Sequence, residues 1–213
     1  MIWMKYRILV RRLLLWEGRY ISDAELKVLC ARLKIPYKSA IMYLFTNKYL
    51  KRIVRGFFYI PSAEERRLKT GGPNVLEAIA KAMDYKKVRD WYFGLETAIK
   101  LNAITHEYFT IDYVVSDTIF RAKPMEILGR RVKFVKLKKG LFGFGTKRNG
   151  PIIYSGLEKT LLDLIHLKKH GGKKDGAIRD DLIEWAETAS RKKLKEYSKH
   201  YGMSVRKAAE ALE

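Results

Sequence analysis

Three features are scarce in this 213-residue sequence: cysteine, acidic residues and long uncharged apolar stretches. The single cysteine, Cys30, excludes an intramolecular disulfide and a Cys-rich zinc site. It lies in an apolar helical pattern, so we expect a buried structural thiol. The absence of a run of ~18 uncharged apolar residues excludes a transmembrane helix. The N-terminus is apolar, but basic residues interrupt it and no signal-peptide cleavage site follows, so we expect a soluble, cytoplasmic protein without membrane partners.

The shortage of acidic residues leaves a strong positive charge. Forty-four Lys and Arg residues oppose 23 Asp and Glu residues, for a net charge of +21. An excess of this size predicts a polyanionic partner. The charge is concentrated, with +10 in residues 1–60, +9 in residues 121–150 and +4 in residues 191–213. This distribution indicates two or three basic faces on a neutral scaffold, the alternative being a basic surface without a specific partner.

The first part of the chain carries the pattern of three helices. Apolar residues recur at helical spacing over residues 4–16. Ser22 and Glu25 have the spacing of a capping box, which predicts the start of a second helix. Pro36 ends that helix and suits the first turn of a third, which we expect to run to about Asn47.

A β-hairpin is predicted directly after these helices. Residues 50–54 and 57–60 form two short apolar and basic runs on either side of the turn Arg55-Gly56. Helices joined by a tight turn and followed by a basic hairpin predict a winged helix-turn-helix domain over residues 1–62. The alternative is a helical hairpin with an unrelated β-ribbon.

A recognition helix enters the ~12 Å major groove of B-DNA and meets base edges with its first turn and outward face. The residues expected there on the third helix are Tyr37, Lys38, Ser39, Met42, Tyr43 and Thr46. For the two tyrosines, the alternative is packing against neighbouring helices. The wing would bring Lys51, Arg52 and Arg55 to phosphates or to the minor groove. Because no Asn, Gln or Arg occupies the outward face of this helix, specificity would depend on DNA shape.

A second domain is predicted after a charged segment that ends in Gly-Gly-Pro. We place the linker at residues 63–73 and the second domain at residues 74–213. Helical and strand patterns alternate in that domain, with three polar helices from about Ile178. The fold class expected for the whole chain is α+β, with a winged helix-turn-helix followed by a mixed α/β domain.

The segment 121–150 is basic, Gly-rich and aromatic, which predicts a second surface for a polyanion. The basic residues proposed for it are Arg130, Arg131, Lys133, Lys138, Lys139, Lys147 and Arg148. Phe142 and Phe144 lie among them and could stack single-stranded bases, as in an RNA-binding protein. A nucleic-acid-processing enzyme that holds its substrate on this segment is a further alternative.

Motifs that would carry enzyme chemistry are weak. The glycines of residues 140–145 precede a strand rather than a helix, which disfavours a dinucleotide loop. His166 and His170 have a zinc-binding spacing without an evident third ligand. Asp112 with Glu158-Lys159 only faintly matches a nuclease pattern. We therefore predict no catalytic residue, no metal site and no cofactor.

Four segments of the chain resemble the AbiEi family of antitoxins from type IV toxin–antitoxin (abortive infection) systems. They are the wing at residues 50–59, the strand and helix at residues 91–101, the strand at residues 127–135, and the segment 155–163 with the sequence SGLEKTLLD. The last is the most specific, since it is similar to the family pattern Ser-x-x-Glu-(Lys/Arg)-Thr-x-x-Asp. Coverage runs from about residue 20 to residue 170. Phe58 stands where the family often has tyrosine.

The resemblance implies a repressor that binds its own operator, expected to be double-stranded DNA with inverted repeats. It also implies that the second domain provides antitoxin activity against a nucleotidyltransferase-like toxin, without the need for a stable complex. Glu158, Thr160 and Asp163 match the family motif, and we interpret them as structural residues at the start of a helix. The oligomeric state on DNA, monomer or dimer, stays open, as does the choice of DNA, RNA or toxin as the partner of segment 121–150.

Overall fold

A computed structural model describes residues 2–68 and 71–212 of the chain. Within these residues the protein has a mixed α+β fold with ten α-helices and two β-sheets, which confirms the predicted fold class at that level. The chain divides into two compact units. We call Met1–Lys86 with Ile127–Gly129 the N-terminal unit, and Lys87–Glu126 with Arg130–Glu213 the C-terminal unit. No helix of the described residues is long and apolar enough to cross a membrane.

The N-terminal unit combines five helices with a three-stranded antiparallel sheet. In chain order its elements are α1 (Ile2–Leu14), β1 (Tyr20–Ser22), α2 (Asp23–Arg32), α3 (Tyr37–Thr46), β2 (Lys51–Val54), β3 (Phe57–Tyr59), α4 (Ala63–Leu68) and α5 (Val75–Tyr85). The strand order is β1-β3-β2. The predicted helices and the predicted hairpin are therefore present.

The capping box predicted for α2 is confirmed. The Glu25 amide donates to the Ser22 hydroxyl at 3.2 Å, and the Ser22 amide donates to the Glu25 carboxylate at 2.7 Å. Both bonds satisfy amides that have no partner inside the helix. Ser22 is also the last residue of β1, a strand that was not predicted because it is only three residues long. Its Tyr20 pairs with Tyr59 of β3 across the sheet.

The core of the N-terminal unit lies between its first three helices and the sheet. Leu9 and Leu13 of α1, Leu26 and Cys30 of α2 and Leu44 of α3 are all buried. Burial raises the pKa of the Cys30 thiol, as expected for a structural cysteine. Ile8 and Leu14 of the same apolar pattern are exposed, because only one narrow stripe of α1 meets the core.

The boundary between the units differs from the predicted one. The predicted linker, residues 63–73, contains α4, and α5 belongs to the N-terminal unit rather than to a second domain. The reason is aromatic packing: the Tyr85 ring of α5 stacks on Phe57 of β3 with ring centres 4.8 Å apart. A composition shift marks charged segments, but it cannot show which helix a hairpin will pack against.

The C-terminal unit is built on a mixed six-stranded sheet. Its elements are β4 (Trp91–Phe93), α6 (Leu95–Leu101), β5 (Ile111–Ser116), β6 (Met125–Ile127), β7 (Arg130–Lys136), β8 (Thr146–Asn149), β9 (Ile152–Ser155), α7 (Leu157–His170), α8 (Asp175–Ala186), α9 (Arg191–Ser198) and α10 (Met203–Glu210). The strand order is β6-β7-β5-β4-β9-β8, with β5 and β7 parallel and β4 and β9 parallel. The short strands β6 and β8 were not predicted.

Helix α7 is the central element of the C-terminal core. Every residue from Leu157 to Ile165 except Glu158 is buried. It packs against α6 and against the three C-terminal helices α8, α9 and α10. A helix surrounded on all sides carries its polar residues into the interior, and this decides the surroundings of Lys159 and Asp163.

Candidate nucleic-acid interface

Helix α3 presents a mixed polar and apolar face to solvent. Ala40 and Leu44 hold one side of the helix in the core, so residues at the opposite helical positions point outward. Lys38 and Ser39 of the first turn are exposed, and 69% of the Met42 surface is accessible. These are three of the six residues predicted to read the major groove.

The two predicted tyrosines are held inside the N-terminal unit. The Tyr37 hydroxyl donates to the carboxylate of Asp23 at the start of α2. Burial, and then this hydrogen bond, raise the pKa of Tyr37. The Tyr43 ring packs on Tyr6 of α1 with ring centres 4.7 Å apart. Both side chains remain half-buried, so these contacts favour the packing alternative for their role.

Three cations lie on the β2–β3 hairpin. Lys51 and Arg52 on β2 and Arg55 at the turn are exposed, whereas Ile53 and Val54 are buried. The pairing shifts register between Arg52 and Val54, and this irregularity breaks the simple alternation along β2. Gly56 completes the turn with a φ of 83°, a conformation that favours glycine.

The charges on this surface are not neutralised within the described part of the chain. Lys38, Lys51, Arg52 and Arg55 form no ion pair there. The Arg52 guanidinium lies 5.4 Å from the centre of the Phe45 ring, a cation–π contact that leaves its charge in place. A surface with an excess of exposed cations attracts a polyanion.

Two of the residues predicted for the second basic surface already have partners within the protein. The Arg130 guanidinium binds both carboxylate oxygens of Asp112, at 3.0 and 3.2 Å. Lys147 donates to the Asn102 side-chain oxygen at 2.7 Å. The exposed members of this set are Arg131, Lys138, Lys139, Lys147 and Arg148, and Lys133 is half-buried.

The aromatic residues of the same segment pack against the protein. Phe142 contacts the Tyr92 ring, with centres 5.4 Å apart. Phe144 stacks on His200 with centres 4.1 Å apart. Each ring therefore already has a protein partner, which weakens the idea that the two phenylalanines stack single-stranded bases.

The residues of the weak nuclease pattern have separate partners. Asp112 binds Arg130, Lys159 lies beside Asp163, and the Glu158 carboxylate accepts from the Ser190 amide at 3.1 Å. His166 and His170 are neighbours, with ring centres 5.2 Å apart. No group of three or more potential metal ligands is assembled in the described residues.

A buried polar cluster in the C-terminal unit is the principal feature that sequence reasoning missed. The Asp163 carboxylate accepts hydrogen bonds from the hydroxyls of Tyr201, at 2.6 Å, and Tyr92, at 2.7 Å. The Lys159 ammonium lies 3.3 Å from the same carboxylate and 3.2 Å from the Tyr201 hydroxyl. Its signal in the sequence was the i, i+4 placement of Lys159 and Asp163 in an otherwise apolar helix.

Aromatic rings enclose the cation of this cluster. The Lys159 Nζ lies 4.6 Å from the centre of the Phe144 ring and 4.8 Å from that of Tyr92. Burial lowers the pKa of Lys159, and the neighbouring Asp163 opposes that shift. Burial also raises the pKa of Tyr92 and of Tyr201. With every polar group satisfied, the cluster orients β4, α7 and the turn before α10 relative to one another.

No family model matches the chain, and no curated protein matches it. Among solved structures, the chain is similar to the Rv2827c protein from Mycobacterium tuberculosis, with a TM-score of 0.65 and 11% sequence identity. The similarity covers 98% of this chain and 76% of that chain. At this level of identity the likeness concerns the fold alone.

Proposed function

We propose that the N-terminal unit is a winged helix-turn-helix that binds double-stranded DNA, and that the chain is a transcriptional repressor. The observation that carries this proposal is the order of elements, helix–strand–helix–helix–strand–strand, with the sheet ordered β1-β3-β2. In this arrangement α3 is the recognition helix and the β2–β3 hairpin is the wing.

The side chains on α3 and the hairpin divide into two kinds of contact. Lys38 and Ser39 supply donors for phosphates or base edges, and Met42 offers an apolar contact for thymine methyl groups. Lys51, Arg52 and Arg55 meet phosphates or the minor groove from the wing. With Tyr37 and Tyr43 held by protein contacts, few side chains are left for direct base readout, so shape and deformability of the DNA carry much of the specificity.

The antitoxin part of the proposal rests on the resemblance to the AbiEi family. This resemblance assigns autoregulation of the operon to the N-terminal unit, and antitoxin activity against a nucleotidyltransferase-like toxin to the C-terminal unit. The buried Lys159–Asp163 cluster fits a structural role for the shared Ser-x-x-Glu-Lys-Thr-x-x-Asp segment, because Thr160 and Asp163 are buried and fully hydrogen-bonded.

The DNA-binding proposal is tested by titrating the full chain with a duplex that spans the region upstream of its gene, at several salt concentrations. Neutralisation of phosphates predicts that log affinity falls linearly with log salt, with a slope of about −0.9 per phosphate contacted. In Arg52→Ala/Arg55→Ala, we expect weaker binding and a slope that is less steep by about 2.

The matched control removes the same charge elsewhere in the N-terminal unit. Arg12 and Arg67 are exposed on α1 and α4, outside the proposed interface, so Arg12→Ala/Arg67→Ala should retain the wild-type slope. If both double variants lower the slope equally, binding depends on total charge and the wing assignment is wrong. The antitoxin role is tested separately, by co-expression with a toxin encoded beside the gene.

A further inference from the structure

A cleft in the C-terminal unit has the size and the lining of a small-molecule site. Its volume is about 520 Å³, and all of its lining residues belong to this unit. Pockets of ~300–1,000 Å³ are typical of sites that enclose a nucleotide-sized or drug-sized ligand. It lies outside the surface that we propose for DNA.

The charged side chains that line the cleft are basic. The polar side chains there come from the turn after β7, from α7, from the turn between α9 and α10 and from the start of α10: Lys138, His166, Lys169, His170, His200 and Ser204. Among the residues that the structure describes, no aspartate or glutamate lines the cleft. Lys169 forms an ion pair with Asp175 at 2.7 Å, whereas Lys138 has no ion pair within the described residues.

Backbone donors add to these side chains. Helix α10 begins at Met203 after Gly202, which has no side chain with which to cap it. The amides of Met203 and Ser204 belong to the first turn and have no partner inside the helix. Both Gly202 and Ser204 line the cleft, so this end of α10 is part of the same cavity as Lys138 and the histidines.

Apolar residues form the remaining wall. Tyr201, Leu141 and Val205 are buried and line the cleft. Tyr201 also connects the cleft to the buried cluster, because its hydroxyl lies between Asp163 and Lys159. The cluster therefore fixes the position of this wall, and the Lys159 side chain behind it is paired with Asp163.

We propose that this cleft binds a small organic phosphate of mononucleotide size, with the phosphate group among Lys138, His166 and His170 and the organic part against the apolar wall. Lysine, imidazolium and free helix amides are the donors that phosphate oxygens prefer. The volume of about 520 Å³ is that of a site for a discrete small molecule.

The chain contains four histidines, and this allows the proposal to be tested on the unmodified protein. Three of them, His166, His170 and His200, line the cleft, whereas His106 is exposed on a loop and does not. We would follow the four imidazole ring signals by NMR while adding AMP, inorganic phosphate or adenosine at constant ionic strength. AMP and phosphate should move the three cleft signals and leave His106 in place. Adenosine, which lacks the phosphate, should move none of them at the same concentration.

Affinity measurements on variants test the residues. AMP should bind about tenfold more weakly to Lys138→Ala and to His166→Gln, the usual effect of losing a hydrogen bond to a charged group. The controls Lys123→Ala and His106→Gln remove the same side chains from exposed positions outside the cleft, and they should bind AMP like the wild type. Thermal unfolding of each variant separates a loss of binding from a loss of folding.

Protonation of the histidines gives an independent readout. Sulfate keeps its charge between pH 8 and pH 5. Because burial lowers the pKa of His166, sulfate affinity should rise mainly below pH 6.5, where this imidazole becomes protonated. The other charged groups around the cleft are the cations Lys138, Lys159 and Lys169 and the acids Asp163 and Asp175.

Two results would overturn the proposal. One is an absence of shifts at millimolar AMP and phosphate, or shifts of all four histidines together, which would indicate non-specific attraction to a basic protein. The other is movement of the cleft signals with duplex DNA but not with AMP, which would make the cleft part of a nucleic-acid surface. Neither result would affect the salt-slope test of the N-terminal unit, so the two proposals fail separately.

Discussion

The Nζ atom of Lys159 lies 3.3 Å from the Oδ1 atom of Asp163, and neither side chain has any solvent-accessible surface. Two ionised groups in such a place lose their hydration, and only close pairing and further hydrogen bonds compensate for that loss. Here the hydroxyls of Tyr92 and Tyr201 supply those bonds to the carboxylate.

We expect Asp163→Ala to lower the free energy of unfolding by about 3–5 kcal/mol, because it leaves the Lys159 ammonium buried without its counter-charge. Urea unfolding followed by circular dichroism measures this. Asp181→Ala is the control, since Asp181 pairs with Lys168 and Lys173 at the surface, and its loss should be much smaller. Equal losses in the two variants would mean that the buried pair contributes no more than a surface pair.

Gly145 is required by its surroundings as well as by its backbone. A Cβ atom there would lie 2.9 Å from the Cβ of Lys159. Gly143 also has a positive φ, but a Cβ there would meet no atom within 4 Å. Both Gly→Ala variants therefore add backbone strain, and only Gly145→Ala adds a clash with the core of α7. We expect Gly145→Ala to be less stable than Gly143→Ala by at least about 1 kcal/mol in thermal unfolding, and comparable stability would contradict the close approach.

The stability of the C-terminal unit should depend on pH through His166. Burial, and then the neighbouring His170, lower the pKa of His166 from 6.5. A histidine with a lower pKa in the folded state resists protonation there, so its stabilising contribution is complete above pH 6.5 and declines as the pH falls toward the folded pKa. His166→Gln should flatten the decline of the unfolding free energy below pH 6.5. A midpoint at or above 6.5 in an NMR titration of His166 would show the opposite sign.

Tyr37 and Lys38 are neighbours on the first turn of α3, and we expect opposite consequences from replacing them. Tyr37→Phe removes the hydrogen bond to Asp23, so it should lower stability by about 1 kcal/mol with little change in DNA affinity. Lys38→Ala should leave stability unchanged, weaken DNA binding and reduce the salt slope by about 1. Both variants would be measured by unfolding and by DNA binding at several salt concentrations. A larger loss of DNA affinity in Tyr37→Phe than in Lys38→Ala would contradict this assignment.

Local signals predicted most of the individual elements. The Ser22–Glu25 spacing marked the start of α2, and Pro36 marked the boundary before α3, because capping and proline geometry act over a few residues. Short elements were missed, among them the three-residue strand β1 and the helix α4 within the expected linker. A strand of three residues has too few side chains to show an alternation, and its partner β3 lies far away in the sequence.

The features of the candidate site were also predictable from the sequence only in part. Sequence patterns indicated Lys38, Met42 and the hairpin cations as outward-facing, since periodicity distinguishes the two sides of a helix. They could not decide that Tyr37 donates to Asp23 or that Arg130 pairs with Asp112, because each pair joins residues more than ten positions apart. The cleft could not be predicted from the sequence for the same reason, because Lys138, His166 and His200 come from three separate stretches of the chain.

The sequence by itself determined the +21 charge, its concentration in three segments, and the positions where most helices begin. These properties follow from composition and from interactions over a few residues. Only the tertiary structure decided which charges remain available to a partner. Burial places Lys159 beside Asp163, and packing of Phe57 on Tyr85 assigns α5 to the N-terminal unit. Whether a charge is paired, buried or exposed depends on residues that are distant in the chain and meet only when it folds.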